Sequence, residues 1–160
     1  PDTSGAHFSP CRAYRYHLWR RPNPGPVLLF IGVNPSVADE AQLDPTLRRV
    51  QGFSKRLNLA GFEVCNLFAL VTPYPAEMRR HADPVGAEND AALVDACRAT
   101  VDGGGIVLAG WGTNGGHLDR AETVRRMLTG IPLHCFGRNA DGSPKHPLYL
   151  RSDAPLPRWS

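Results

Sequence analysis

The chain has 160 residues and a mass of 17.5 kDa, the length of one domain with its own core. Hydrophobic residues at 42% and charged residues at 21% exclude wholesale disorder, and the longest apolar run, Val27–Val33, is far too short to cross a bilayer. A net charge of +3 permits a polyanionic partner without demanding one.

In chain order, Tyr14, Tyr16 and Leu18 alternate with Arg15 and His17, which suits an extra edge strand at the N-terminal side. Val27–Val33 is entered through Pro24-Gly25-Pro26 and left through Asn34-Pro35. Its unbroken apolar character predicts a strand buried on both faces. Asp44-Pro45 supplies a helix cap and a first-turn proline, and Leu47, Val50, Phe53 and Leu57 follow at helical spacing. Gly61 closes that helix, and Phe62–Leu70 reads as a second strand. The prolines of Thr72-Pro73-Tyr74-Pro75 force a loop. A short helix over 76–81 and a longer one over 87–100 follow, the latter broken by Gly103-Gly104-Gly105. Ile106–Gly110 is a third strand leading into a glycine-rich loop, 119–128 a further helix, and Ile131–Phe136 a fourth strand. The rest is turn-rich, and the proline-rich tail from Ala154 reads as a surface strap. Strands alternating with helices predict an α/β fold with a parallel sheet and right-handed crossovers, in a single domain over 1–160.

Cys11, Cys65, Cys97 and Cys135 show no paired spacing, and the histidines share no ligand spacing. No metal and no cofactor are therefore expected, and Cys65 and Cys135, inside apolar runs, read as small core residues. No charged-then-apolar leader opens the chain, and a reduced cytoplasmic protein is the expectation. Neither GxSxG nor GxxxxGK[ST] occurs.

Open parallel sheets bind ligands beyond the carboxyl ends of their strands. Strand one delivers Gly32, Val33, Asn34, Pro35 and Ser36 to that edge, and strand two delivers Asn66 and Phe68. Strand three delivers Gly110, Trp111 and Gly112, and the segment after strand four delivers His146-Pro147. Taken singly, each has a bland reading. A buried Asn66 is either a satisfied structural amide or a reader of a base edge, since an amide offers one donor face and one acceptor. The apolar residues after His146 either pack under the tail or form a wedge that enters nucleic acid.

Together and in this order, GVNPS at 32–36, Asn66 in VCNLF, LAGWG at 108–112 and HPLYL at 146–150 resemble the motifs of the uracil-DNA glycosylase superfamily. The chain is also similar to a bacterial and phage family of unassigned function with the patterns NPS-x-AD, DPT, NLFAL and HPLYL. The resemblance implies a three-layer α/β/α domain whose four-stranded parallel sheet runs in the order 2-1-3-4. It implies a monomeric, monofunctional DNA glycosylase that hydrolyses the N-glycosidic bond of a deaminated or modified base, uracil-like or hypoxanthine-like, flipped from DNA. Asn34 would position water, with Asp39 a second candidate to orient water or balance the cationic sugar. His146 would donate to the leaving base, and Asn66 would read it. Phe53 or Phe68 would stack on it, with Gly32, Val33, Pro35, Ser36 and Trp111 completing the substrate site. Leu150 would fill the gap left in the duplex, and Arg151 and Ser152 would meet a phosphate. Leu148 stands where the superfamily has serine, and the iron–sulfur cysteines of some members have no counterpart. Two other classes remain: a non-catalytic nucleobase-binding module, and a glycosidase of free nucleosides or nucleotides.

Overall fold

The computed structural model describes residues 3–36, 41–151 and 153–159. The strands are β1 (Ser4–Phe8), β2 (Arg15–Arg20), β3 (Val27–Gly32), β4 (Gly61–Asn66), β5 (Ile106–Ala109) and β6 (Leu133–His134). The α-helices are α1 (Pro45–Arg56), α2 (Pro75–Arg80), α3 (Asn89–Asp102) and α4 (Arg120–Met127). All six strands join one sheet in the order β1-β2-β4-β3-β5-β6.

This corrects the expected four-stranded sheet: the sheet is larger, and it is mixed. The expected strands form its parallel part, with β4 and β5 flanking β3 and β6 beside β5. The N-terminal segment extends it, β2 pairing antiparallel with β4 and β1 with β2. A hairpin was not foreseen because the Ser4–Phe8 segment SGAHF has little apolar content to mark it. The fourth strand also shrinks, since Pro132 has no N–H for a ladder and only Leu133 and His134 pair. The second strand leaves its ladder after Asn66. Leu67 and Phe68 still donate to Gly32 and Val33, but Ala69 and Leu70 bond instead to the carbonyls of Val85 and Pro84.

Helices cover both faces. On one, Leu47, Val50 and Phe53 of α1 pack on Leu28, Phe30, Phe62, Val64 and Leu108. On the other, Leu93, Ala96 and Cys97 of α3 and Val124 of α4 pack on Leu29, Ile31, Cys65 and Val107. That double coverage is why β3 carries no polar residue. The cap of α1 forms as its sequence suggests: the Asp44 carboxylate accepts from the Leu47 N–H at 2.8 Å, with Pro45 in the first turn. The tail straps the far edge of the sheet, Arg158 bridging to His134 and the Trp159 N–H donating to the Leu133 carbonyl. Among the described residues no helix is long and apolar enough to cross a membrane.

Candidate functional site

Alternation along a strand decides which side chains share a face. Phe30 pairs with Val64 and Gly32 with Asn66, so these residues lie side by side on the α1 face at the carboxyl edge. They line a cavity of about 160 Å³. The first turn of α1, with Asp44, Thr46 and Leu47, bounds it above, and Val33, Asn34, Pro35 and Ser36 bound it where the chain leaves β3. Arg15, Thr72, Pro73 and His146 complete the wall. Asn34, Asn66 and His146, far apart in sequence, thus meet around one small space.

Two glycines make this geometry sterically feasible. A Cβ on Gly32 would stand 2.8 Å from Asn66 Oδ1, so any side chain there would displace the amide. A Cβ on Gly110 would stand 2.5 Å from the Phe30 ring and 3.1 Å from Pro147 Cδ. Gly110 therefore lets the 146–147 segment close over the end of the sheet.

Each polar group is held differently. Asn34 Nδ2 donates to the carbonyls of Pro35 (3.1 Å), Leu70 (3.2 Å) and Thr72 (2.9 Å). Both amide hydrogens are committed, which orients the group and leaves Oδ1 as its acceptor. Asn66 is only 3% exposed, and its Nδ2 is buried without a hydrogen-bond partner among the described residues. An orphaned buried donor costs roughly 1–3 kcal/mol, so a group in this position points to a missing acceptor. The backbone beneath it is clamped: Asn89 Nδ2 donates to the carbonyls of Asn66 and Leu67, and Arg120 Nε to that of Leu67.

His146 Nδ1 accepts from the Leu148 N–H at 3.2 Å, capping the 3-10 turn Pro147–Tyr149. Burial lowers the imidazole pKa, with the Asp44 charge opposing. A neutral ring with Nδ1 as acceptor carries its proton on Nε2, making His146 a neutral donor. Arg15 is 4% exposed, and burial lowers its pKa to about 10, again against Asp44, so it stays charged at neutral pH. Asp44 itself is occupied, Oδ1 by the Leu47 N–H and Oδ2 by the Ser36 hydroxyl at 2.6 Å.

A wider cleft of about 610 Å³ adjoins the cavity, sharing Val33, Thr46 and His146 with it. Trp111, Lys145, Leu148 and Leu150 lie on its walls. Two expected contacts fail. Phe53 is in the core against Phe136, ring centroids 4.4 Å apart, because it continues the buried stripe of Leu47 and Val50. Phe68 is likewise fully buried on the opposite face, next to the His117 ring. Phe30 is the aromatic ring that lines the cavity. Arg151 is exposed and forked onto Asp153 at 3.0 Å. Asp39 and Ser152 lie outside the described residues. The expectations missed Arg15 and Asp44 as cavity groups. Asp44 had a signal, since a helix cap directly after a strand-end motif must lie near it.

A larger concavity, about 740 Å³, lies at the amino end of the sheet, between Pro26, Val27 and the alanines of α3. Its buried carboxylate, Glu63, is already bonded to His17 Nε2 and Arg21 Nε, each at 2.6 Å. Among the described residues that line it, no buried side-chain polar atom is left without a partner in the way Asn66 Nδ2 is.

A family model described as a protein of unknown function, DUF1643, matches residues 15–148. No curated protein and no solved structure matches the chain.

Proposed function

This chain belongs to the DUF1643 family, and from its cavity we propose that it is a DNA base N-glycosylase that hydrolyses the bond between a deaminated or modified base and its sugar. The observation that carries this reading is the buried, unpartnered Nδ2 of Asn66 beside the oriented Asn34 and His146. The small volume supports it too: about 160 Å³ is below the range of drug-sized pockets and suits a single planar ring. The proposed finer fold is that of the uracil-DNA glycosylase superfamily, with β4-β3-β5-β6 as its parallel sheet.

The chemistry follows from the three groups. A base enters only when extruded from its stack. Asn66 Nδ2 donates to an exocyclic oxygen of the base, and Oδ1 accepts a ring N–H. As the C1′–N bond breaks, its electron pair leaves on the base, and His146 Nε2–H donates to the oxygen where that charge collects. Asn34 Oδ1 accepts from the attacking water, whose oxygen bonds C1′ and whose proton passes to solvent. An amide is too weak a base to take that proton, so Asn34 positions and does not deprotonate. Leu150, on the cleft wall, is placed to fill the space the base vacates.

A second reading, a glycosidase of free nucleosides, is favoured by the sparse charge of the approach. Lys145 is the one cation among the described residues of the cleft wall, and Arg151 is occupied by Asp153. One panel separates the two. Oligonucleotides bearing uracil, hypoxanthine, xanthine or a modified pyrimidine are incubated with protein and scored for abasic sites, with free nucleosides run in parallel. Abasic sites that disappear in an Asn66→Leu variant support the DNA enzyme. Base release from nucleosides alone supports the second reading, and no release from either rejects both.

A further inference from the structure

We propose that the groove along the exposed side of α1, built by Arg48, Arg49 and Gly52, binds the phosphate backbone of a nucleic acid strand that delivers its base to the cavity. This rests on the nucleobase reading above but not on bond cleavage.

The groove has a volume of about 460 Å³, and Phe53, Arg56 and Asp153 complete its lining. Arg48, Gly52 and Arg56 stand four residues apart, so they form one row along the helix, with a gap at Gly52 between two guanidinium side chains. Glycine inside a helix is unfavourable, and no packing accounts for this one: a Cβ at Gly52 would meet nothing within 4 Å. A glycine that the fold does not need leaves room for a ligand to approach the helix backbone.

The groove is positive. Arg48 is exposed, and neither it nor Arg49 is in an ion pair among the described residues. Arg49 Nε is buried without a hydrogen-bond partner among the described residues, its guanidinium 5.5 Å from the centre of the Phe53 ring. Such a donor points to an acceptor that the fold does not itself supply, and phosphate oxygens match a guanidinium best. Arg56 is tied to the Ala154 carbonyl at 2.6 Å and fixes the tail beside the groove. Asp153, the carboxylate of the described lining, is forked by Arg151.

The groove continues from the cavity. The first turn of α1 gives Thr46 and Leu47 to the cavity, and the next two residues, Arg48 and Arg49, begin the groove. In the C-terminal segment Leu150 lines the cleft and Asp153 the groove, at most about 11 Å of chain apart. A strand whose base occupies the cavity therefore passes its phosphates beside these arginines.

The test needs no turnover. Binding of a fluorescent thymidylate single strand, about 15 nucleotides long, is followed by anisotropy as salt is raised, with the melting temperature of each variant recorded. Counterion release at two phosphates contributes about 1.4 to the slope of log K against log salt. Arg48→Gln with Arg49→Gln should flatten the slope by about that much and weaken binding about tenfold or more at low salt. Gly52→Gln changes no charge and suits a helix, so it should hold or raise Tm yet weaken binding about fivefold or more by filling the gap. Lys55→Gln removes a cation of the same helix that does not line the groove, and should show only the smaller effect of net charge. The proposal is overturned by a wild type that does not bind the strand, or by arginine or Gly52 variants that bind as it does. A Lys55→Gln loss as large as that of Arg48→Gln also overturns it, since net charge would then explain the attraction. Displacement of the strand by inorganic phosphate at the same phosphate concentration overturns it too, leaving a small-anion site. If the double variant does not fold, Arg48→Gln and Gly52→Gln decide. A strand bound as expected while every modified oligonucleotide stays intact rejects the glycosylase and retains the groove. Abasic sites made equally fast by the arginine variants do the reverse.

Discussion

His146 has a structural job and, on the proposed function, a chemical one, and they sit on different nitrogens. Nδ1 accepts from the Leu148 N–H, while Nε2 carries the proton proposed to meet the leaving base. His146→Ala removes both. Losing the cap forfeits one neutral hydrogen bond, about 1 kcal/mol, which in a chain of this size lowers Tm by about 2–4 °C. Losing the donor removes an interaction that matters most in the transition state, about 10²–10³ in turnover, with a smaller effect on substrate affinity. His146→Asn separates the two jobs. Its short amide can accept from the same N–H two residues on, but it cannot place a donor where Nε2 stands. The expected result is a Tm within about 2 °C of wild type and a single-turnover rate as low as that of His146→Ala. If His146→Asn keeps wild-type turnover while His146→Ala only loses stability, the residue is a loop anchor and the mechanism is wrong.

Asn66→Leu is nearly isosteric and removes the orphaned donor, so Tm should hold or rise while base binding disappears; thermal melting and uracil titration check this, and a marked fall in Tm would show that the amide is satisfied. Asn34→Ala unties the exit of β3 from the carbonyls of Leu70 and Thr72 and should lower the unfolding free energy by about 1–3 kcal/mol in urea titrations. Burial alone would raise the Glu63 pKa, but the hydrogen bonds and charges of His17 and Arg21 bring it below its ordinary 4.5. Its contribution is therefore present above that pH and lost as pH falls through the lower folded value, and Glu63→Gln should flatten the acid limb of a Tm-against-pH curve. Cys11 is exposed with its pKa lowered, chiefly by the Ser9 hydroxyl, whereas Cys65, Cys97 and Cys135 are buried. Iodoacetamide should add one label to native protein by mass spectrometry and four after unfolding.

The parallel part of the sheet was legible because a strand covered on both faces reads as one apolar run, and Val27–Gly32 and Ile106–Ala109 do so. The meeting of Asn34, Asn66 and His146 followed from the same reading, since all three come at or beyond strand ends. Arg15 was not legible. In an alternating strand an arginine opposite Tyr14 and Tyr16 reads as a solvated position, but β2 is interior to the sheet, with β1 on its outer side. That covering hairpin was the missing information. Phe53 illustrates the converse limit. An aromatic on an amphipathic helix has the same spacing whether it fills the core or faces a ligand, and only the packing of Phe136 tells them apart.

The clamp on the Leu67 carbonyl divides the cavity into two mechanical halves. Asn89 and Arg120 are the first residues of α3 and α4, so two helices of the opposite layer converge on the backbone beneath Asn66. His146, by contrast, is carried on a segment of turns held by its own cap, by contacts with α1 and by backbone hydrogen bonds to neighbouring loops, such as Gly112 N–H to the Pro144 carbonyl and Lys145 N–H to that of Gly137. Hydrogen exchange should expose this as a gradient: amides of 64–68 should open only with the whole domain, and those of 143–150 in smaller local events. For variation, the two halves then carry different risks. On the proposed glycosylase reading, changes along the 143–150 arm should retune reaction rate with less danger to the fold than changes in the clamp, which should alter recognition by loosening the domain itself.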